Sequence, residues 1–324
     1  MENAKPWRIA AAALILWTGS AHAQAWPAKP VRLIVPSPAG AQNDLAARVI
    51  AEQLSKVWRQ PVIVDNKPGA GTTIGTNAVA KAAPDGYTIG WVISAHAINP
   101  SLIAHLPYDT LHDFAGITLA YALKPVIVAA PAFPASSVAD LIELARRNPR
   151  RLTFASPQNG SSIHLLGELF KLKYGLDVEH VGYKGGTAAH PDVMAQRVSF
   201  MFDSLASVLP HIRSGKLKLI AAVSDSPLPG HPEYPLLTGL VPAAAAVGWN
   251  GFVVPAKTPQ ELVARLNTDI VAAIRSPEVQ QRFTAFGVDT IVTSPAGFDS
   301  FIREDIMRWA DVIKRAGIKA EDAK

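Results

Sequence analysis

The chain alternates short apolar runs with segments whose apolar residues recur every three or four positions. Runs rich in Val and Ile, each too short for a helix, predict strands over residues 31–35, 62–64, 87–93, 125–129, 152–155, 178–181, 198–202, 218–223 and 251–254. Helical spacing predicts helices over residues 44–57, 73–81, 138–147, 162–174, 205–214, 259–275 and 295–315. In the first of these, Leu45, Val49, Leu54 and Val57 fall close to one face. Strands and helices in alternation are the pattern of an α/β protein with mostly parallel sheets.

Two connections resemble each other. VPSPAG at residues 35–40 and FASPQNGSS at residues 154–162 each leave a predicted strand and open a predicted helix through Pro, Gly and Ser. Ligands in open α/β sheets bind outside the carboxyl ends of strands, so two such turns, one on each of two lobes, would border a single cleft. The first turn makes the stronger site. Gly40 and Ala41 let backbone come close to a ligand, and the helix that follows presents unpaired N–H groups with a partial positive charge, which suits carboxylate or phosphate. Capping of the helix by Asn43 or Asp44 is the alternative, and it leaves Pro36, Pro38 and the Ala39-Gly40 pair unexplained.

The ends and the composition narrow the setting. Lys5 and Arg8 precede an apolar run over residues 9–17, and Ala21-His22-Ala23 has the small-x-small form of a signal-peptidase site. The run falls well short of the roughly twenty residues of a spanning helix, so residues 1–23 read as a signal peptide and the mature chain as starting at Gln24. A hydrophobic fraction of 49% and a charged fraction of 18% describe a globular protein. Cysteine is absent, which excludes disulfides, thiolate catalysis and sulfur-based zinc sites. The formal net charge is +5, and loss of Lys5, Arg8 and Glu2 leaves +4. The basic residues are scattered; their densest cluster, Arg146-Arg147 with Arg150-Arg151, has no interleaved aromatics, so no nucleic-acid partner is expected.

Other chemistries find little support. Gly69-Ala70-Gly71-Thr72-Thr73-Ile74-Gly75 follows a strand as a dinucleotide turn does, but Asn66-Lys67-Pro68 lengthens the connection and the next strand ends without a suitable acid. A structural or anion-binding turn is the better reading. Gly160-Ser161-Ser162-Ile163-His164 lacks the G-x-S-x-G elbow of a hydrolase, and Ser161 and Ser162 read as helix-capping residues. No histidine spacing or acidic loop matches a metal site, so neither a metal nor a cofactor is expected.

Seven segments, KPVRLIVPSPAGAQNDLAAR, QPVIVDNKPGAGTTIGTNAVAKAAPDGYT, INPSLIAHLPYD, SPQNGSSIHLLGELFK, HVGYKGG, GKLKLIAAVS and FIREDIMRWADVIKRAGI, together resemble the Bug family of periplasmic solute-binding proteins. These are the extracytoplasmic receptors of tripartite tricarboxylate transporters. The likeness runs in order from about Trp26 to Ile318. It implies an α/β Venus-flytrap fold, a two-lobed periplasmic-binding-protein fold of type 2-like build with crossing hinge strands, in which residues 26–123 and 226–324 form lobe 1 and residues 124–225 form lobe 2. It also implies that a small carboxylate, or a related amide or aromatic acid, is gripped between two loops by backbone N–H groups and bridging waters. By position these loops contain Ser37, Ala39, Gly40, Ala41, Gln42 and Asp44 on one side and Ser156, Asn159, Gly160, Ser161 and Ser162 on the other. Tyr183, Gly185 and Asp203 would line the same cleft, and donors around Gly40, Ala41, Gly160 and Ser161 would hold one carboxylate.

The implied protein is a monomeric, non-enzymatic periplasmic receptor that hands its ligand to membrane permease subunits. A ligand-sensing adaptor is one alternative, and a hydrolase using Ser161 or Ser156 with His164 is another. Two positions depart from the family: Ser37 replaces a large aromatic and Ala41 replaces a second glycine, which implies a ligand bulkier or more polar at its far end than the smallest ones the family takes. Asp44 could cap its own helix or select against some anions.

Overall fold

The computed structural model describes residues 26–228, 230–241 and 246–319; the signal-peptide reading of residues 1–23 lies outside them. From the amino end, β1 (Val31–Val35), α1 (Gln42–Trp58), β2 (Val62–Asn66), α2 (Thr73–Ala80), β3 (Thr88–Ile93), α3 (Ala95–Leu102) and β4 (Phe114–Ala122) build a first unit. A second unit holds β5 (Pro125–Ala129), α4 (Val138–Arg147), β6 (Thr153–Ser156), α5 (Ser162–Tyr174), β7 (Glu179–Gly182), α6 (Gly186–Met194), β8 (Phe200–Ser204), α7 (Leu205–Arg213), β9 (Lys218–Val223) and β10 (Leu236–Leu237). The chain returns to the first with β11 (Asn250–Pro255), α8 (Gln260–Arg275), α9 (Pro277–Ala285), β12 (Asp289–Thr290) and α10 (Pro295–Arg315).

The strands form two six-stranded sheets, in the orders β12-β4-β11-β3-β1-β2 and β10-β9-β5-β8-β6-β7. β1 is parallel to β2 and β3, and β6 is parallel to β7 and β8. β11 is antiparallel to both its neighbours, as is β5. These two reversed strands are the ones the chain enters on crossing between units. The crossing segments touch, with Leu123 N donating to Val247 O at 3.2 Å. The resemblance puts the return near Ser226, but β10 pairs in parallel with β9, and Leu237, Leu240 and Val247 pack in the second unit's core, so pairing and burial carry that unit further along the chain.

Helices cover both faces of each sheet, and the buried residues are accordingly mostly apolar. On the first sheet, Leu33, Val35, Ile50, Leu266 and Phe283 lie on one face, and Ile34, Val92, Trp249 and Phe298 on the other. Each buried large aliphatic or Phe side chain contributes about 1.5–3 kcal/mol relative to exposure. The stripe on α1 differs from the expected one: Leu45 and Val57 are 43% and 56% exposed, whereas Ala46, Ala47, Val49, Ile50, Leu54 and Trp58 are buried. Alanines that let the helix sit close to the sheet, rather than two of the larger aliphatics, set its rotation. A further cluster joins the units, with Ile98 of α3 and Trp309, Val312 and Ile313 of α10 packed around Leu165 of α5.

Candidate functional site

The turn after β1 is held from behind by buried polar groups. Gly40 adopts φ +83°, in the left-handed region that glycine tolerates, and its N–H donates to Asp44 Oδ2 at 2.8 Å. Asp44 is 1% exposed. It also accepts from Arg48 Nε at 3.0 Å and Asn66 Nδ2 at 2.9 Å. Burial works against its charge, but the hydrogen bonds from Arg48, Gly40 and Asn66 outweigh it and hold the carboxyl below the usual range. Ser37 is buried as well; its Oγ accepts from Asn43 Nδ2 at 3.3 Å, and Asn43 Oδ1 accepts from the Tyr121 hydroxyl at 2.9 Å. Ala39, Gly40 and Gln42 are exposed, and Ala41 partly so.

The turn after β6 has the same build. Gly160 adopts φ +72° and donates to His164 Nδ1 at 3.0 Å. Ser161 is the cap of α5, its Oγ accepting from His164 N at 3.2 Å and donating to Gln158 O at 2.7 Å. Ser156 is fully buried, with Oγ 2.7 Å from His180 Nε2. The next connection, after β7, is tied to this turn: Tyr183 N donates to Ser156 O at 3.2 Å and Gly185 N to Pro157 O at 2.7 Å. Tyr183 donates its hydroxyl to Asp192 Oδ2 at 2.6 Å. Asp203, at the end of β8, is 3% exposed, with Oδ2 2.9 Å from His190 Nε2 and Oδ1 accepting from Ser204 N at 2.7 Å.

A hydrogen bond also links the two units beside these turns. β1 and β3 are parallel and end on the same edge of the first sheet. Ser94, just past β3, donates from Oγ to Oγ of Ser162, in the first turn of α5, at 3.2 Å. A Cβ on Gly160 would lie 2.7 Å from Leu102 Cδ1 of α3, so the second turn also abuts the first unit. Sequence reasoning missed Ser94, and it read Asn43 only as a cap. A strand followed by Ser and a helix start, VISAHAIN, is the signal that could have found Ser94.

The four amides expected to stay free have internal acceptors, since Ala41 N donates to Pro38 O and Ser161 N to Gln158 O beside the Gly40 and Gly160 bonds. The donors that helix geometry leaves without intrahelical acceptors lie one step further on, at Gln42, Asn43, Ser162 and Ile163. His164 Nδ1 accepts from Gly160 rather than from a serine, and the buried Ser156 hydroxyl lies beside His180, not His164. The glycine-rich 69–75 segment holds a short 3-10 turn, Ala70–Thr72, and the start of α2, with Asn99 Nδ2 donating to Gly71 O at 2.8 Å. A groove of about 540 Å³, lined by Leu106, Tyr108, Leu111 and Ile306 among others, involves none of the cleft residues.

Two α/β units joined by paired crossing segments, with the start of α5 bonded to the turn after β3, have the build of a two-lobed solute-binding protein. The tripartite tricarboxylate transporter family receptor profile matches residues 46–318. The chain belongs to that family, as a Bug-type receptor. It is 35% identical to Protein BugT of Bordetella pertussis over 92% of each chain. Its structure is similar to that of R. palustris Rpa4515 with adipate, with TM-score 0.76 and 30% identity over 91% of this chain and 100% of the other. It is also similar to MatC (Rpa3494) from Rhodopseudomonas palustris with bound malate, with TM-score 0.71 and 27% identity over 89% and 99%.

Proposed function

We propose that the protein is an exported, non-enzymatic receptor that binds a small organic acid in the crevice between its units and delivers it to the membrane permease of a tripartite transporter. The Ser94–Ser162 contact carries this reading, because it brings the start of α5 to the strand edge from which α1 also springs. The ligand carboxylate then meets first-turn amides of α1 and α5, where the helix dipoles favour negative charge. Ala39, Gly40, Ala41, Gln42, Asn159, Gly160, Ser161, Tyr183 and Gly185 form the wall of the site. Ser37, Asp44, Ser156, Ser162 and Asp203 act from behind, holding the turns in shape. Adipate and malate in the two structural relatives make dicarboxylates the first class to try.

The test is the melting temperature of the chain from Gln24 onward, unfolded and refolded to strip co-purified ligand, against dicarboxylates, amino acids, aromatic acids and nicotinate-type compounds. At 100 times its dissociation constant a ligand of the folded state adds about 2.7 kcal/mol, which raises the midpoint by several degrees. A saturable shift within one chemical class, without turnover, is the expected result. No shift with any of them, or hydrolysis lost on Ser161→Ala, overturns the proposal.

A further inference from the structure

We propose that His164 is the positioning residue of the second cleft turn, holding the Gly160 amide through Nδ1 so that the turn keeps the shape that meets the ligand. The inference rests on the receptor reading above. Gly160 N donates to Nδ1 at 3.0 Å, so Nδ1 offers its lone pair and the ring proton sits on Nε2, which faces Glu168 Oε1 at 3.7 Å. The backbone N–H of the same residue is bonded to Ser161 Oγ. One histidine therefore grips both Gly160, by its ring, and Ser161, by its backbone.

The ring is not free to swing away. His180 of β7 stacks on it with centroids 3.7 Å apart and planes inclined at 22°, and His180 is itself anchored to the Ser156 hydroxyl at 2.7 Å. The charged and titratable groups facing the imidazole are Glu168 and Lys171 of α5 and His180 of β7; β6 contributes Phe154 and Ser156, and α3 and α10 pack on α5 through Ile98, Trp309 and Ile313. Burial, with the neighbouring His164, pushes His180 down to about 3, so His180 remains an uncharged platform. Burial opposes charge on Glu168, but His164 and Lys171 hold its carboxyl below the usual range. Loss of the Nδ1 acceptor would leave the Gly160 amide without this partner. The exposed side of the turn, Gln158 and Asn159, is the part free to yield.

The test compares wild type, His164→Gln and His164→Phe by calorimetric titration with malate and adipate. Glutamine offers a carbonyl acceptor, and phenylalanine keeps a ring for the stack without an acceptor. His164→Gln should stay within about threefold of wild type, whereas His164→Phe should bind about tenfold or more weakly. The 15N shift of the Gly160 amide, followed without ligand, should stay close to wild type in His164→Gln and move in His164→Phe. A phenylalanine variant that binds as wild type does, or a Gly160 amide that does not move in it, overturns the inference. If no acid binds any of the three, the receptor reading fails, while the amide shift still decides whether His164 holds Gly160.

Discussion

Asp44→Ala removes a carboxylate that is 1% exposed and accepts from Gly40, Arg48 and Asn66. The Arg48 pair contributes little, because the Arg48 side chain is 48% exposed and such pairs are worth about 0–1 kcal/mol. The Gly40 and Asn66 bonds go to a charged acceptor and contribute about 1.5–3 kcal/mol each. Relief from burying the charge offsets part of this, leaving a net loss of about 3 kcal/mol. At roughly 2–4 °C per kcal/mol for a chain of this size, the melting temperature falls by about 6–12 °C. Asp44→Asn keeps an acceptor without the charge and loses about half as much.

The pH dependence of the same variants gives a second check. The folded carboxyl lies below its ordinary value of 3.8, so the stability it contributes is present above that value and is lost as pH falls through the folded one. Melting followed by circular dichroism should therefore show wild type and Asp44→Asn converging as pH drops below about 4. An alanine variant melting within about 2 °C of wild type refutes the scaffold role. So does an asparagine variant that melts unchanged but binds anions more tightly, since Asp44 would then face the ligand.

Three further perturbations test other parts of the structure. Gly182→Ala places a Cβ against Asn159 Oδ1; Asn159 is exposed and can turn aside, so stability should change by less than about 1 kcal/mol while calorimetric affinity drops severalfold, and unchanged affinity would remove Asn159 from the site. Ser162→Ala deletes the Ser94 contact, worth about 0.5–1.5 kcal/mol, and loosens the seat of α5 on the first unit; the melting temperature should fall by about 1–6 °C, and a variant that melts as wild type does would show that the bond contributes nothing. Burial raises Asp305 from 3.8 to about 6, so the folded state binds this proton more tightly, and the contribution is full below 3.8 and lost as pH rises through about 6. Asp305→Asn, keeping an acceptor for Trp249 Nε1, should flatten a decline of up to about 3 kcal/mol over that interval, read by urea unfolding.

Strands and helices with undiluted periodicity were legible in the sequence, and so were the two turns, because Pro and Gly between an aliphatic run and a helix start leave few other conformations. β4 was not: Gly116 and three alanines thin the β-branched signal of FAGITLAYA, although every residue but Ala115 is buried. α3 and α6 carry Pro100 and Pro191, which read as breaks yet are accommodated inside short helices. At the site, sequence located the turns but not the direction in which their side chains point. Asp44 and Asp203 looked like cleft residues by position, and both carboxylates are nearly buried. That orientation depends on Asn66, 22 residues from Asp44, and on His190, 13 from Asp203, and no local pattern encodes such pairings.

The inward aim of those acids bears on how the proposed receptor for anions would also release them. With Asp44 turned to Gly40 and Asp203 to His190, the turns would present backbone, amide and hydroxyl groups to the proposed crevice. Neutral donors backed by two helix dipoles attract a carboxylate without the desolvated ion pair whose separation would be costly. Opening must also break whatever joins the units, and the joins are unequal. The Ser94–Ser162 bond is worth about 0.5–1.5 kcal/mol, whereas pulling Leu165 from Ile98 and Trp309 would return several fully buried side chains to water at about 1.5–3 kcal/mol each. The low-cost opening keeps α5 seated on α3 and α10 and hinges the units about that cluster. The rim furthest from it then moves most, and the turn at Gly160, beside Leu102 of the first unit, least.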